Sequence, residues 1–311
     1  MYTKLLEKIA MYDTIIIHRH KEPDLDALGS QLGLRALIVE NYKNKNVYCV
    51  GDENQYSFIG TMDTISDSVY DNALAIITDV AGENRVSDQR FKLAKETIVI
   101  DHHQNDTDFA DIFIHDDSRI ATCQMLTEMA MNHNLTVSED AATYLFAGLV
   151  TDSGRFMYPA TDHLTFEAAA FLAKNGARIQ SIYDDLYIED LSFKKLKGYF
   201  INEFNTTSNN VAYMKNDRTL KDQFNVSSFA ISRGMVNQMA GIKGIPIWVN
   251  FTEYDSGDII CEIRSKELPV VQIAKKYGGG GHALACGCTL SSWEETDQVL
   301  NDLNKLLERN D

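Results

Sequence analysis

Positive charge is what this sequence is short of. Lysine and arginine number 29 against 45 aspartates and glutamates, which leaves a formal net charge of −16 over 311 residues. That deficit excludes a general basic groove for duplex nucleic acid. A short polyanion stays compatible if positive charge is local and partly supplied by metal ions. Long apolar runs are missing too, and none approaches a membrane span. The stretch from Met1 to Asp13 reads as an amphipathic helix with Leu5, Leu6 and Ile9 on one side, without the pattern of a signal peptide. A cytoplasmic location is therefore expected. Cysteine is sparse: the five residues Cys49, Cys123, Cys261, Cys286 and Cys288 are odd in number and scattered, as reduced thiols are. Cys286 and Cys288 lack a second pair to complete a zinc site, and they read as small buried residues beside a glycine loop. A hydrophobic share of 44% with 24% charged residues fits a packed chain long enough for two domains.

What the chain does have is a set of apolar, β-branched runs that stop at polar residues. Thr97 to Ile100 ends in Asp101, His102 and His103; Thr14 to Ile17 ends in His18, Arg19 and His20; Ala73 to Thr78 ends in Asp79. Such runs predict buried strands whose carboxyl ends deliver polar groups to a crevice. Pro23 keeps its predecessor extended, so Asp24 and Asp26 fall in a loop before a helix over 27–40. A short strand at 47–50, a turn at 82–85, a strand at 111–115 and helices over 121–131 and 140–149 follow. Asp152 comes just after an apolar segment. This alternation predicts an α/β domain with a mostly parallel sheet covered by helices on both faces.

Further on, helices are predicted over 164–174 and 193–204, and the polar cluster from Asn205 to Asn210 marks a boundary. Strands at 211–214, 245–251 and 258–264, a hairpin turn at 254–257, a short helix at 270–277 and a final helix over 293–309 describe a smaller α/β domain. The expected division is 1–185, a helical linker over 186–205, and 206–311.

His20, Asp24, Asp26, Asp79, His103 and Asp152 mix imidazole and carboxylate, a ligand set for Mn²⁺ and related cations. The spacing of Asp24 and Asp26 suits two ions about 3.5–4 Å apart, with Asp79 as the bridging carboxylate. Four acids this close would repel one another, and two divalent ions would balance them. His18 reads as a packed histidine, and His115, His133 and His163 as surface or loop residues. Arg264 and Ser265 end a strand, and Gly278 to Gly281 lead into His282. Glycines permit close backbone approach and can expose N–H groups to an anion, while Arg264 can grip a phosphate.

His20-x-x-Pro-Asp24-x-Asp26-Ala-Leu-Gly-Ser, Asp79, Asp101-His102-His103, Asp152-Ser-Gly-Arg-Phe and Gly-Gly-Gly-Gly-His282 together resemble the DHH phosphoesterases with a DHHA1 domain, over essentially the whole chain. Length and layout are similar to the stand-alone nanoRNase subgroup. The resemblance implies a DHH domain and a smaller DHHA1 domain with the active-site cleft between them, and two Mn²⁺, with Mg²⁺ or Co²⁺ as alternatives. One ion would take His20, Asp24 and Asp79, the other Asp26, Asp79, His103 and Asp152. Asp101 would orient a histidine, and His102 would lie near the scissile phosphate. Arg264, Ser265, Gly279, Gly280, Gly281 and His282 would hold the nucleotide. Ser153 stands where many relatives carry threonine. The implied activity is hydrolysis of very short oligoribonucleotides and dinucleotides to mononucleotides, and removal of the 3′-phosphate of pAp. Turnover of c-di-AMP or pApA, or a non-catalytic nucleotide sensor, are the alternatives. No duplex or membrane partner is implied, and a homodimer is compatible.

Overall fold

The computed structural model describes residues 2–54, 56, 59–103 and 109–309. Met1, included in the expected first helix, lies outside the described residues, as do 310 and 311. The chain divides after Tyr187 into two compact units.

The first unit runs α1 (Thr3–Met11), β1 (Thr14–His18), α2 (Leu25–Asn41), β2 (Asn46–Cys49), β3 (Leu74–Thr78), β4 (Glu96–Asp101), β5 (Ile112–His115), α3 (Thr122–Asn132), α4 (Glu139–Asp152), α5 (His163–Lys174) and α6 (Ile179–Tyr187). Its five strands are all parallel in the order β2-β1-β3-β4-β5. Strand side chains alternate between faces. Ile15, Ile17, Leu74, Ile76, Ile98 and Ile100 share one core with the α-helices. Ile16, Ala75, Ile77 and Val99 face the other way, where Tyr70 and Phe91 of two short 3₁₀ helices, Asp67–Tyr70 and Gln89–Leu93, cover them. Helical elements thus cover both faces, α on one and 3₁₀ on the other.

Connectivity places the site. From β1 the chain crosses to β2 on one side and then returns to β3 on the other. The order reverses between β1 and β3, so the connections leaving their carboxyl ends diverge and open a crevice. Helices α2 and α4 cross in close contact beneath it. A Cβ at Gly29 would lie 2.4 Å from the Tyr144 carbonyl oxygen, and one at Gly148 would lie 2.4 Å from Cys123 Sγ and 2.7 Å from Asp26 Oδ1. Only hydrogen fits there.

The second unit runs α7 (Leu191–Glu203), β6 (Asn205–Thr206), β7 (Val211–Asn216), α8 (Leu220–Phe224), β8 (Ile247–Glu253), β9 (Ile259–Ser265), α9 (Val271–Lys276), β10 (Gly280–Gly281), β11 (Ala285–Leu290) and α10 (Trp293–Glu308). Its mixed sheet has the order β10-β11-β9-β8-β7-β6, and only β7 and β8 are parallel. Val249, Cys261, Ile263 and Cys288 pack with Val299 and Leu303 of α10, while Ala212 and Trp248 face Leu196 and Phe200 of α7. The expected linker segment therefore contributes α7 to this unit's core.

Most expected elements are present within a few residues. Sequence reading missed α6, α8, β6, β10 and β11, all short or glycine-rich. The helix expected over 140–149 runs three residues further, so Asp152, after the apolar Leu149 and Val150, is the last residue of α4. All five cysteines are buried and free, as their scatter implied. Among the described residues no helix is long and apolar enough to cross a membrane.

Gly29→Ala forces a methyl group against a main-chain carbonyl. The expected loss is ~1–3 kcal/mol of stability, read as a lower urea midpoint. An unchanged midpoint would mean that α2 and α4 can part without penalty.

Candidate metal centre

Asp24 closes the loop after β1 and caps α2, its Oδ1 accepting the N–H groups of Asp26 and Ala27 at 3.0 Å each. Asp26 lies in the first turn of α2 and is fully buried. Its Oδ2 accepts from the Thr122 N–H at 2.7 Å and its Oδ1 from the Cys123 N–H at 2.9 Å. Those donors open α3, where the helix dipole favours an anion. Asp79 follows β3 in the left-handed region, at φ 58°, which aspartate tolerates better than most residues. Its N–H donates to the Ile100 carbonyl at 2.9 Å, and the Thr122 hydroxyl donates to its Oδ1 at 3.2 Å.

These elements bring the acids and two histidines together. His20 Nε2 lies 3.5 Å from Asp79 Oδ2 and 3.7 Å from Asp24 Oδ1. His102 Nε2 lies 3.4 Å from Asp152 Oδ2, 3.5 Å from Asp79 Oδ1 and 3.9 Å from Asp26 Oδ2. Asp79 therefore shows one carboxylate oxygen to each histidine. Donor atoms of His20, Asp24 and Asp79 all lie within 4.8 Å of one another, as do those of Asp26, His102 and Asp152, and those of Asp79, His102 and His103.

His102, expected near the phosphate, lies among Asp26, Asp79 and Asp152, and His103, the expected ligand, groups with Asp79 and His102. His102 Nδ1 faces the Arg119 carbonyl at 3.2 Å, and its Nε2 is buried without a hydrogen-bond partner. His20 is arranged alike, with Nδ1 at 2.6 Å from the Lys21 carbonyl. A metal-bound imidazole ordinarily donates its second N–H in this way. An orphaned Nε2 among three carboxylates is a donor set that fits a divalent cation. His103 instead has its Nδ1 2.7 Å from Asp101 Oδ1, its side chain is 41% exposed, and its ring centroid is 4.6 Å from that of His102. His103 also stays within reach of Asp79, at 3.6 Å. The buried partners Thr122 and Cys123 were not foreseen. No sequence pattern links Asp26 to N–H groups 96 and 97 positions away.

Electrostatics follow from the crowding. Burial pushes the Asp26 carboxyl well above its usual range, and the charges of Asp79 and Asp152 add to this. Asp152 is also raised, by burial first. Burial pulls the His20 imidazole down, but Asp24 and Asp79 outweigh it and push its pKa up to about 10. His102 likewise reaches about 10, burial being overcome by Asp152, Asp26 and Asp79. His103 is raised by its bond to Asp101.

His18 is fully buried, and its pKa falls to about 4 through desolvation. His115 is half-buried, with Nε2 2.6 Å from the His103 carbonyl, so it steadies the strand end rather than lying free on the surface. Ser153 is buried, and its hydroxyl accepts the Phe156 N–H at 3.1 Å.

In the second unit, Arg264 donates through Nη2 to Glu262 Oε2 at 2.9 Å and through Nη1 to the Ile263 and Cys286 carbonyls at 2.9 and 3.3 Å. The Ser265 hydroxyl accepts the Leu268 N–H at 3.0 Å. A Cβ on Gly279 would lie 2.1 Å from the Gly287 carbonyl, and one on Gly281 would lie 2.7 Å from Cys286 Cα, so close packing on β11 requires both glycines. The N–H groups of Gly278, Gly279 and His282 already donate to Lys275, Ala274 and Ala285 carbonyls. Those three are therefore not an open anion cradle. Gly280 has open space where a Cβ would stand, and His282 is exposed.

Comparison with known proteins agrees with the geometry. Residues 14–149 match the model of the DHH family, N-terminal domain, and residues 219–309 match the DHHA1 domain. The chain is 34% identical over 310 residues to the bifunctional oligoribonuclease and PAP phosphatase NrnA of Bacillus subtilis, covering 98% of each chain. It is 36% identical over 310 residues to the protein of the same name from Mycoplasma genitalium, covering 97% of this chain and 96% of that one. A crystal structure of an exopolyphosphatase-related protein from Bacteroides fragilis shares the fold, with a TM-score of 0.78 at 23% identity over 98% of this chain and 96% of that one.

The raised histidines make cation binding pH-dependent. Without cations both imidazoles hold a proton at neutral pH, and a cation must displace it. In that state they favour the fold below a pH of about 6.5, and this contribution is lost as pH rises through about 10. Mn²⁺ affinity is expected to rise with pH from 6 towards 9, with proton release seen by calorimetry in buffers of different ionisation enthalpy. A pH-independent affinity without proton release would contradict the arrangement.

Proposed function

We propose a substrate and a cofactor for a chain that belongs to the DHH/DHHA1 phosphoesterase family, a hydrolase of phosphoester bonds: it cleaves very short oligoribonucleotides to mononucleotides and removes the 3′-phosphate of pAp, using two Mn²⁺. The observation that carries the reading is Asp79, whose two oxygens face two separate histidine-containing groups. The names of the B. subtilis and M. genitalium relatives, similar across both units, support the choice of substrate. The net charge of −16 favours short polyanions over duplexes, and we take the site of action to be the cytoplasm.

His20, Asp24 and Asp79 would hold one cation, and Asp26, Asp79, His102 and Asp152 the other. Bound divalent ions supply Lewis acidity and lower the pKa of water towards the neutral range. Mixed oxygen and nitrogen donors suit Mn²⁺. The protein's own part is positional. The α3 N-terminus and the Thr122 hydroxyl fix Asp26 and Asp79 before any substrate arrives, so little reorganisation is needed. Asp101 takes Nδ1 of His103 and favours its protonated form, which leaves Nε2 to donate to the phosphate oxygens or the leaving oxygen. Arg264, Ser265, Gly279, Gly280, Gly281 and His282 are assigned to the nucleotide. Arg264 keeps its guanidinium oriented through Glu262.

A product assay on di- to pentanucleotides and pAp in Mn²⁺, with chelator controls, tests the reading. Mononucleotide release that chelator abolishes is the expected result; tight binding without turnover would overturn it. Asp79→Ala removes a donor from both groups and should reduce turnover at least ~10³-fold, in line with the loss of an electrostatic stabiliser. Activity near that of the parent would end the two-cation assignment. Arg264→Ala should raise KM for dinucleotides about tenfold, as the loss of a charge-assisted bond does. An unchanged KM would remove Arg264 from the nucleotide contacts.

A further inference from the structure

A second feature of the C-terminal unit is built with more care than packing needs. Residues Ala230–Gly234 form a π-helical turn, a form often found at functional sites. Ile231 and Ser232 on this turn are buried, but Phe229 is 60% exposed and the Arg233 side chain is 64% exposed. Four positions apart on a helical turn, the two lie on one side. The Arg233 guanidinium carbon is 5.8 Å from the Phe229 ring centroid.

Buried polar groups hold this turn in place. The Asn250 amide donates to the Ile231 and Ser232 carbonyls at 2.8 and 2.9 Å. Asn216 donates to Asn250 Oδ1 at 2.7 Å, and the Ser232 and Tyr254 hydroxyls are 2.9 Å apart. Both asparagines are buried, which costs free energy unless their bonds are made. An apolar pair would fill the same space; the amides add a fixed position for the turn.

Charge and shape agree. Glu262, nearly buried, accepts from Arg233 Nε through Oε1 and from Arg264 Nη2 through Oε2, both at 2.9 Å. One carboxylate orients two guanidiniums, and the trio keeps one net positive charge. Opposite Glu262 on β11 stands Gly287, and opposite Gly287 on β10 stands Gly280, so no side chain rises beside the trio along that strip.

We propose that Phe229 and Arg233 form a nucleotide-binding subsite, with the ring stacking on a base and the guanidinium meeting a phosphate of the same short substrate. Base stacking tolerates any sequence, and a cationic group beside an aromatic ring is a common means of holding single strands. The inference rests on the proposed function for its ligand.

The test uses the full chain in chelator, where affinity for pApA can be titrated by calorimetry without turnover. Phe229→Ala should weaken pApA binding about tenfold, and Phe229→Trp should restore it. Arg233→Met should weaken binding and flatten its salt dependence. Circular dichroism checks that each variant folds. Equal pApA affinity for the parent and a folded Phe229→Ala overturns the subsite. So does unchanged pApA binding with altered self-association by light scattering, which would make the face a subunit contact. Phe229-dependent binding without any hydrolysis in Mn²⁺ would leave the subsite standing and remove the catalytic reading instead.

Discussion

Four carboxylates drawn to one edge of a sheet are the constraint on which the first unit is built. Asp24, Asp26, Asp79 and Asp152 would drive one another apart if left alone, and burial makes the repulsion worse. The fold answers with fixed positive partners. The α3 N-terminus faces both oxygens of Asp26, the first N–H groups of α2 face Asp24, and two imidazoles sit between the acids. Strongly raised histidines are the sign of how much negative charge remains.

That solution depends on packing far from any charge. Asp26 can enter α2 beside α4 because Gly29 and Gly148 let the helix backbones meet, and Gly148 leaves room for the Asp26 carboxylate itself. The parallel sheet brings the ends of β1, β3 and β4 to one edge, and the reversal of strand order between β1 and β3 opens the crevice there. Hydrophobic alternation along the strands and the geometry of the acids are thus two consequences of one topology.

The second unit works differently. Its glycines serve two ends: Gly279 and Gly281 admit β11 at close range, while Gly280 and Gly287 leave a strip without side chains next to a charged trio. Glu262 ties Arg264, legible in the sequence, to Arg233, which no motif marked.

The sequence by itself determined the two-unit α/β layout, the buried strands and the residues able to hold cations, because β-branched runs ending in acids and histidines are a local pattern. The resemblance named His103 as the ligand and His102 as the phosphate contact, and the fold brings both imidazoles near Asp79. Both lie beyond the last residue of β4 with ring centroids 4.6 Å apart, and the packed surroundings, Arg119 for His102 and Asp101 for His103, give each ring its own partner. The sequence also could not pair Asp26 with the start of α3, or set Phe229 and Arg233 on one π turn. Each of these rests on contacts between distant parts of the chain, or on a backbone form with no local signature, and tertiary structure alone settles them.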